Sequence, residues 1–506
     1  MKVARLLAVS AVAVLVGAWG FAGAGPGRVS QAAAAAGQKV DNFELTDQNL
    51  LGHSLYSMAD AKAIVLITQG NGCPVVRNNG AAYNALKAAY KDKGVEFLML
   101  NANSQDSRED ILKEAADFHY DFPILQDTNQ LVAEQLRLER TGEVIVIDPK
   151  TWSIVFRGPV DDRVTYERQK AKATKTYAAD ALDQFLAGRP VRDAHEMAPG
   201  CIINLLEASA QPKKISYTHD IAPIIQEKCV SCHQPGGIGP MNLTNYDFIK
   251  GQSAMIREVI RTRRMPPFHV DPRIGHFNND KSLSPEQTKT LVHWIEAGSP
   301  RGDGADPLAA QTFQAPEWPL GKPDLVLNIP AFTIKATGVV DYQQPWVAMG
   351  TSEDHWLRAS TIKVDQRQGV HHVLTGFMDK APDGPVTRGG SISGPSIGGY
   401  AVGAESSVMP TDSGTFLPAG GAIGFQMHYS PFGKEVTDHT QVGLYFYDKD
   451  KLPTHVMHNS VIADQQMLVP PNADNWQDVA YVTFDHDAKL YSAFPHAHYR
   501  GRSSKL

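Results

Sequence analysis

Ile67-Thr68-Gln69-Gly70-Asn71-Gly72-Cys73-Pro74-Val75-Val76 carries an apolar run into a Gly/Asn loop and out through a cysteine and a proline. Residues 63–68 have the length and apolarity of a buried strand, and the Ala/Leu/Tyr pattern after Pro74 predicts a helix through Lys91. Working outward, residues 95–100 read as a second strand, 108–118 as a second helix and 143–148 as a third strand. That alternation predicts an α/β domain with a mostly parallel sheet over residues 37–195. Cys73 falls where the strand hands over to the helix. A helix N-terminus favours a thiolate, so this is a suitable position for a reactive thiol.

The segments ITQGNGCPVV, GVEFLMLNAN, FPILQDTNQLVAEQL and EVIVIDPKTWSIVFRG resemble the redoxins, the superfamily of thioredoxin and alkyl hydroperoxide reductase. The resemblance implies a thioredoxin-like fold and thiol chemistry at Cys73. Two departures from the family pattern stand out: Val76 occupies the place of a second dithiol cysteine, and the Thr-Pro turn before the third strand reads Thr141-Gly142. Arg77 is near the cysteine, but the full peroxidatic pattern is absent. Cys201, in Ala198-Pro199-Gly200-Cys201-Ile202, is the candidate resolving thiol. The alternative is a redoxin fold kept as scaffold, with Cys73 inert.

Cys229-Val230-Ser231-Cys232-His233 is the attachment signature of a c-type haem: two thiols for the vinyl groups and an adjacent imidazole for the iron. Zinc would need a second ligand pair, and no cysteine follows Cys232. Residues 217–228 read as a helix entering the motif, 253–263 as a second and 284–297 as a closing helix containing Trp294. Residues 205–310 are therefore expected to form a small all-α domain resembling a class I cytochrome c. Met265, before paired prolines, is the expected distal iron ligand; Met241, Met255 and His269 are the alternatives.

Beyond a Pro/Gly/Ala-rich linker, short β-branched and aromatic runs alternate with turns at 325–329, 356–364, 370–377, 422–428, 441–447 and 479–484, an all-β sandwich pattern. Ten of the chain's 18 histidines lie from His355 onward and no cysteine does, a donor set suited to copper. Three groups stand out: His371-His372, His428, and His496-Ala497-His498, whose alternation puts both rings on one face of a strand. Adjacent histidines such as His371-His372 need a bulge or twist to converge. In order and spacing these groups resemble the copper type II ascorbate-dependent monooxygenases, the peptidylglycine hydroxylating and dopamine β-monooxygenase family. The resemblance implies a jelly-roll sandwich over 323–458 with His371, His372 and His428 on one copper. It implies the opening strands of a second sandwich over 459–506, with His496 and His498 on another. No methionine follows His498, so the second sandwich and its copper site are expected to be incomplete.

Lys2 and Arg5 precede an apolar run from Leu6 to Trp19 and a small-residue Ala22-Gly23-Ala24 site, the layout of a signal peptide over residues 1–24. Export would place the mature chain in the periplasm or outside the cell, with no transmembrane span. At 506 residues the chain is multidomain, and a net charge of −6 gives no reason to expect a nucleic-acid partner. The leading expectation is an exported oxidoreductase in which covalent haem c passes electrons to a copper centre that hydroxylates a small molecule with dioxygen. A periplasmic electron donor or acceptor is the expected partner. Two alternatives stand beside it: an electron-transfer or metal-binding protein with only the haem active, and a thiol-disulfide oxidoreductase using Cys73.

Overall fold

The computed structural model describes residues 37–192, 197–205, 214–235, 239, 241–268, 276–277, 280–312, 316–384, 392, 394–401, 404–464, 466–473, 476–495, 501 and 504. The expected signal peptide lies outside them, as do His269, His496 and His498.

In chain order the first part comprises β1 Glu44–Thr46, β2 Gly52–Ser54, β3 Ala63–Gln69, α1 Pro74–Tyr90, β4 Val95–Asn101, α2 Arg108–Asp117, β5 Ile124–Gln126, α3 Leu131–Gln135, β6 Val144–Asp148, β7 Ser153–Gly158 and α4 Tyr177–Leu186. A π-helical turn, Tyr217–Ile221, then leads into α5 Ala222–Lys228, followed by α6 Tyr246–Gly251, α7 Ser253–Arg261 and α8 Pro285–Glu296. The rest is β8 Leu325–Asn328, β9 Phe332–Ile334, β10 Trp346–Ala348, β11 His355–Lys363, β12 Val370–Met378, β13 Ser406–Val408, β14 Ser413–Leu417, β15 Ala422–Tyr429, β16 Val436–Asp438, β17 Gln441–Phe446 and β18 His455–Val456. Two compact units result. One holds described residues 37–41 and 58–205; the other holds the hairpin at 42–57 with everything described from 214 onward. The hairpin thus falls outside the unit to which its sequence position assigns it.

In the first unit the sheet runs β5-β4-β3-β6-β7. Every residue of β3 is buried, and alternate ones face different layers. Ala63, Val65 and Ile67 pack with Val76, Tyr83 and Leu86 of α1 and with Ala178, Ala181 and Leu182 of α4. The β3–β4 and β4–β5 pairings are parallel, whereas β3–β6 and β6–β7 are antiparallel, so the sheet is mixed rather than mostly parallel. The turn between β6 and β7 is too short for a parallel crossover and makes a hairpin instead. Trp152 turns it with φ of 55° and an N–H bond to the Asp148 carbonyl at 2.7 Å.

One buried ion pair braces this sheet. Arg157 donates to both Glu143 carboxylate oxygens at 2.6 Å and to the Leu136 carbonyl at 2.7 Å. Arg157→Lys keeps the charge but loses the planar fork. It is expected to cost about 2 kcal/mol, the scale of a charge-assisted hydrogen bond, read as a lower urea midpoint for this domain.

In the second unit, the stretch from Tyr217 to Glu296 is helical, with no strand among its described residues. The stretch from Leu325 to Val456 is β-rich. A sheet ordered β18-β14-β11-β17-β8 and a second ordered β10-β15-β12 share one apolar core. Leu357, Ile362, Val442 and Leu444 come from the first sheet; Val373, Phe377, Ile423 and Phe425 come from the second. The strand expected at 479–484 is absent: those residues are unpaired, and Val479, Tyr481, Val482 and Phe484 are exposed. Their alternation has no described sheet to pair with, and a strand pattern without a partner edge does not order as a strand.

Candidate functional site

Cys73 is the N-cap of α1, with Pro74 at the first helical position. Glu114, buried on α2, holds the loop before it, accepting the Gly72 N–H at 3.0 Å. Arg77 pairs with the same carboxylate. It donates to both Glu114 oxygens, at 2.6 and 3.2 Å, and lies 4.6 Å above the Phe118 ring.

The second cysteine arrives on a strap. Residues 198–203 run antiparallel to 139–141: Thr141 N–H bonds to the Cys201 carbonyl at 2.9 Å, and Ile203 N–H bonds to the Glu139 carbonyl at 2.9 Å. Gly200 is obligatory here, because a Cβ would fall 1.6 Å from the Thr141 carbonyl oxygen. Its peptide is gripped from outside. The Tyr166 hydroxyl donates to the Gly200 carbonyl at 2.6 Å and accepts the Gly200 N–H at 2.9 Å. Arg140 donates to the same carbonyl at 3.0 Å and to the Tyr166 hydroxyl at 2.6 Å.

The strap brings Cys201 beside Cys73 through Thr141, whose hydroxyl accepts the Cys201 N–H at 3.1 Å and donates to the Cys73 sulfur at 3.0 Å. Cys73 is buried and Cys201 exposed, and both are free thiols. Burial pushes the Cys73 thiol up. Hydrogen bonds from the Thr141 hydroxyl (3.0 Å), the Val76 N–H and the Cys201 thiol and N–H outweigh that effect and hold Cys73 below the ordinary thiol value. Cys201 is pushed up to about 11 by burial and by its bond and charge interaction with Cys73, with Arg140 acting in the opposite direction. One sulfur is therefore shifted toward the thiolate and the other toward the thiol. Arg140, Thr141 and Tyr166 were not singled out from sequence for any role at the sulfur. Only the Thr141-Gly142 step before β6, where the family carries proline, marked the place.

The Cys229–His233 motif lies directly after α5. His233 N–H bonds to the Cys229 carbonyl at 3.0 Å, and His233 Nδ1 lies 3.1 Å from the Met241 carbonyl. A carbonyl can only accept, so Nδ1 carries the proton and Nε2 keeps its lone pair, the tautomer an iron ligand needs. The imidazole lies against Gly239, where a Cβ would sit 2.3 Å from Nδ1. Burial and the neighbouring Cys232 push the Cys229 thiol up to about 12. These residues fit covalent haem. Met265 follows α7 and is 37% exposed, with its N–H bonded to the Val259 carbonyl at 3.1 Å. Met241 places its backbone carbonyl against the protonated Nδ1 of the ring.

The β-rich stretch brings His371, His372 and His428 together, with one nitrogen from each inside a 4.8 Å cluster. His372 stands opposite His428 across the β12–β15 pair, and the register shifts between Val370 and His372. That bulge turns His371 toward the other two. The His371 Nδ1 lies 3.1 Å from His372 Nδ1 and 3.2 Å from His428 Nδ1, and the Tyr342 ring covers His428 at 4.7 Å. Burial and the neighbouring His371 hold His428 below the usual imidazole value, which favours the neutral form that ligates metal. Outside the cluster, His439 meets Asp365 and His355 stacks on Phe446 at 4.3 Å.

Residues 36–161 match the AhpC/TSA family. Among solved structures, a hypothetical protein of Sinorhizobium meliloti is 23% identical over 34% of this chain and 96% of its own, with a TM-score of 0.32. An uncharacterized conserved protein of Geobacillus kaustophilus is 28% identical over 35% of this chain and 94% of its own, with a TM-score of 0.32. The peroxidoxin BcpB of Mycobacterium tuberculosis is 17% identical over 32% and 98%, with a TM-score of 0.23. No curated protein matches the chain. Residues 36–161 thus form a thioredoxin-like redoxin domain of the AhpC/TSA type, in a multidomain chain with further β-rich regions.

Proposed function

We propose that the chain is a thiol-disulfide oxidoreductase in which Cys73 and Cys201 cycle between dithiol and disulfide. The observation that carries this is the convergence of the two cysteines on Thr141, whose hydroxyl is bonded to the Cys73 sulfur at 3.0 Å and to the Cys201 N–H at 3.1 Å, with the two thiols shifted in opposite directions. Closing the disulfide removes two electrons and two protons from the pair, and opening it returns them. The exchange partner gains or loses the same two electrons as its own disulfide or dithiol. Thr141 serves as the hinge of the hydrogen bonding: its hydroxyl accepts from Cys201 N–H at 3.1 Å and donates to the Cys73 sulfur. Oxidised glutathione followed by peptide mapping tests the reading. A Cys73–Cys201 linkage is expected, and persistence of both as free thiols through the oxidation would sink the proposal.

A second reading has its own support in the trihistidine cluster and the His233 tautomer. In it the chain is an exported haem and copper protein. Cys229 and Cys232 would hold the haem through thioether bonds, with His233 on its iron, and His371, His372 and His428 would hold copper. When bound, these groups supply one-electron transfer, which suits hydroxylation of a small molecule with dioxygen and exchange with a periplasmic electron partner. The protein's part is to keep Nδ1 of His233 protonated and to aim three imidazole nitrogens at one point. Haem and copper quantified per chain after periplasmic expression test it; an absence of both would remove it.

A further inference from the structure

The two sulfurs differ in access as well as in charge. Cys73 is 2% exposed, sealed between α1, Thr141 and the strap, whereas Cys201 faces solvent. In the usual arrangement of such pairs, one sulfur is both the accessible one and the better thiolate. Here the two properties are divided between two residues.

We propose that Cys201 is the substrate-facing sulfur of the Cys73–Cys201 disulfide, that Cys73 is its buried leaving group, and that the substrates are thiols which the pair oxidises. This rests on the thiol-disulfide reading above. An incoming substrate thiolate attacks the Cys201 sulfur. The substrate–Cys201 bond forms, the Cys201–Cys73 bond breaks, and its electron pair leaves on Cys73 as thiolate. A second substrate thiolate then attacks the substrate sulfur of this mixed disulfide. The substrate disulfide forms and Cys201 departs as a thiolate that takes a proton from solvent. Two substrate thiols have then lost two electrons, and the protein pair has gained them.

Three features favour this polarity. Attack on a disulfide goes to the sulfur that can be reached, and departure is faster from the sulfur whose thiolate is better stabilised. The donors around Cys73 await that thiolate: the Thr141 hydroxyl, the Val76 N–H and the Cys201 N–H. A disulfide whose reduced form is stabilised in this way is an oxidant. Finally, the Arg140 guanidinium beside Cys201 spends its described hydrogen bonds on two neutral oxygens, those of Gly200 and Tyr166. Its charge can therefore draw in an anionic thiolate. Tyr166 is 63% exposed yet its hydroxyl holds both ends of the Gly200 peptide, so it is a positioning residue whose value lies in that grip rather than in burial.

The test uses the oxidised full-length chain mixed with one equivalent of reduced glutathione, quenched with acid at early times and mapped by mass spectrometry. Glutathione is expected on Cys201 in about tenfold or greater excess over Cys73, with Cys73 recovered as free thiol. Glutathione mainly on Cys73, or equally on both, overturns the assignment. Tyr166→Phe is expected to lower the equilibrium constant for closing the Cys73–Cys201 disulfide about tenfold. Gly200→Ala sets the limit for an undocked strap. Identical constants in all three proteins, with equal melting temperatures, would show that the strap has no grip to lose. Failure of the oxidised chain to contain the Cys73–Cys201 link refutes the underlying pair, an outcome separate from a misassigned entry sulfur.

Discussion

Cys73→Ser is expected to reduce thiol-disulfide turnover by the full chain to background, while leaving the fold and the histidine cluster intact. Serine is nearly isosteric, and its hydroxyl can keep the bond to Thr141, so a loss of activity cannot be charged to a cavity. What disappears is the stabilised sulfur, the group that leaves as thiolate when Cys201 is attacked and that re-forms the disulfide. The pH dependence follows from the sign of the shift. Cys73 is held below the ordinary thiol value by donors that outweigh its burial, so its thiolate is retained as pH falls past the range where a free cysteine protonates, at about 8.5. It is lost only below its own lowered value. Cys201, pushed up to about 11, stays a thiol at neutral pH. Ultraviolet thiolate absorbance, taken as wild type minus Cys73→Ser, is therefore expected to show one group titrating below the ordinary thiol range. If the difference spectrum titrates with the midpoint of a free cysteine, or if the serine variant keeps turnover, the division of roles between the sulfurs falls.

How much of this was legible in the chain depends on how local each cause is. Cys73 could be placed because its neighbours announce the handover: an apolar run for β3, a Gly/Asn loop, and a proline fit for the first turn of α1. Cys201 could be named, since only four cysteines exist, but its proximity to Cys73 could not. That proximity depends on a strap that docks only because Gly200 lacks a side chain and Tyr166 and Arg140 grip its peptide. Arg77 shows the converse. Its spacing from Cys73 suggests a role at the sulfur, and the tertiary position of Glu114 gives it an ion-pair partner. The β6–β7 hairpin was hidden for a related reason: strand direction is set by the connecting turn, and a run of β-branched residues reads alike in either direction.

The trihistidine cluster carries the other large expected effect. His428→Ala is expected to weaken copper binding by the full-length chain by at least about 100-fold, the loss that even an outer partner of a metal ligand can cause. The argument starts from register. His372 and His428 face each other directly across β12 and β15, and two such rings alone would make a weak site. The bulge adds the His371 nitrogen at 3.1 and 3.2 Å from the others, so three imidazole nitrogens already lie within 4.8 Å of one another and little rearrangement is left for the metal to meet. His439, bonded to Asp365 and apart from the cluster, is the control, and His439→Ala is expected to bind copper as wild type does. Tyr342, whose ring lies over His428, supplies a fluorescence readout by quenching, and electron paramagnetic resonance counts the nitrogens. A saturable site with three nitrogen donors that is lost in His428→Ala and kept in His439→Ala makes the cluster a metal centre. Equal binding in both variants would instead assign the copper to other groups and leave the convergence of three rings as packing. The thiol pair and the histidine cluster can then be tested independently, because Cys73→Ser leaves every residue of β12 and β15 in place.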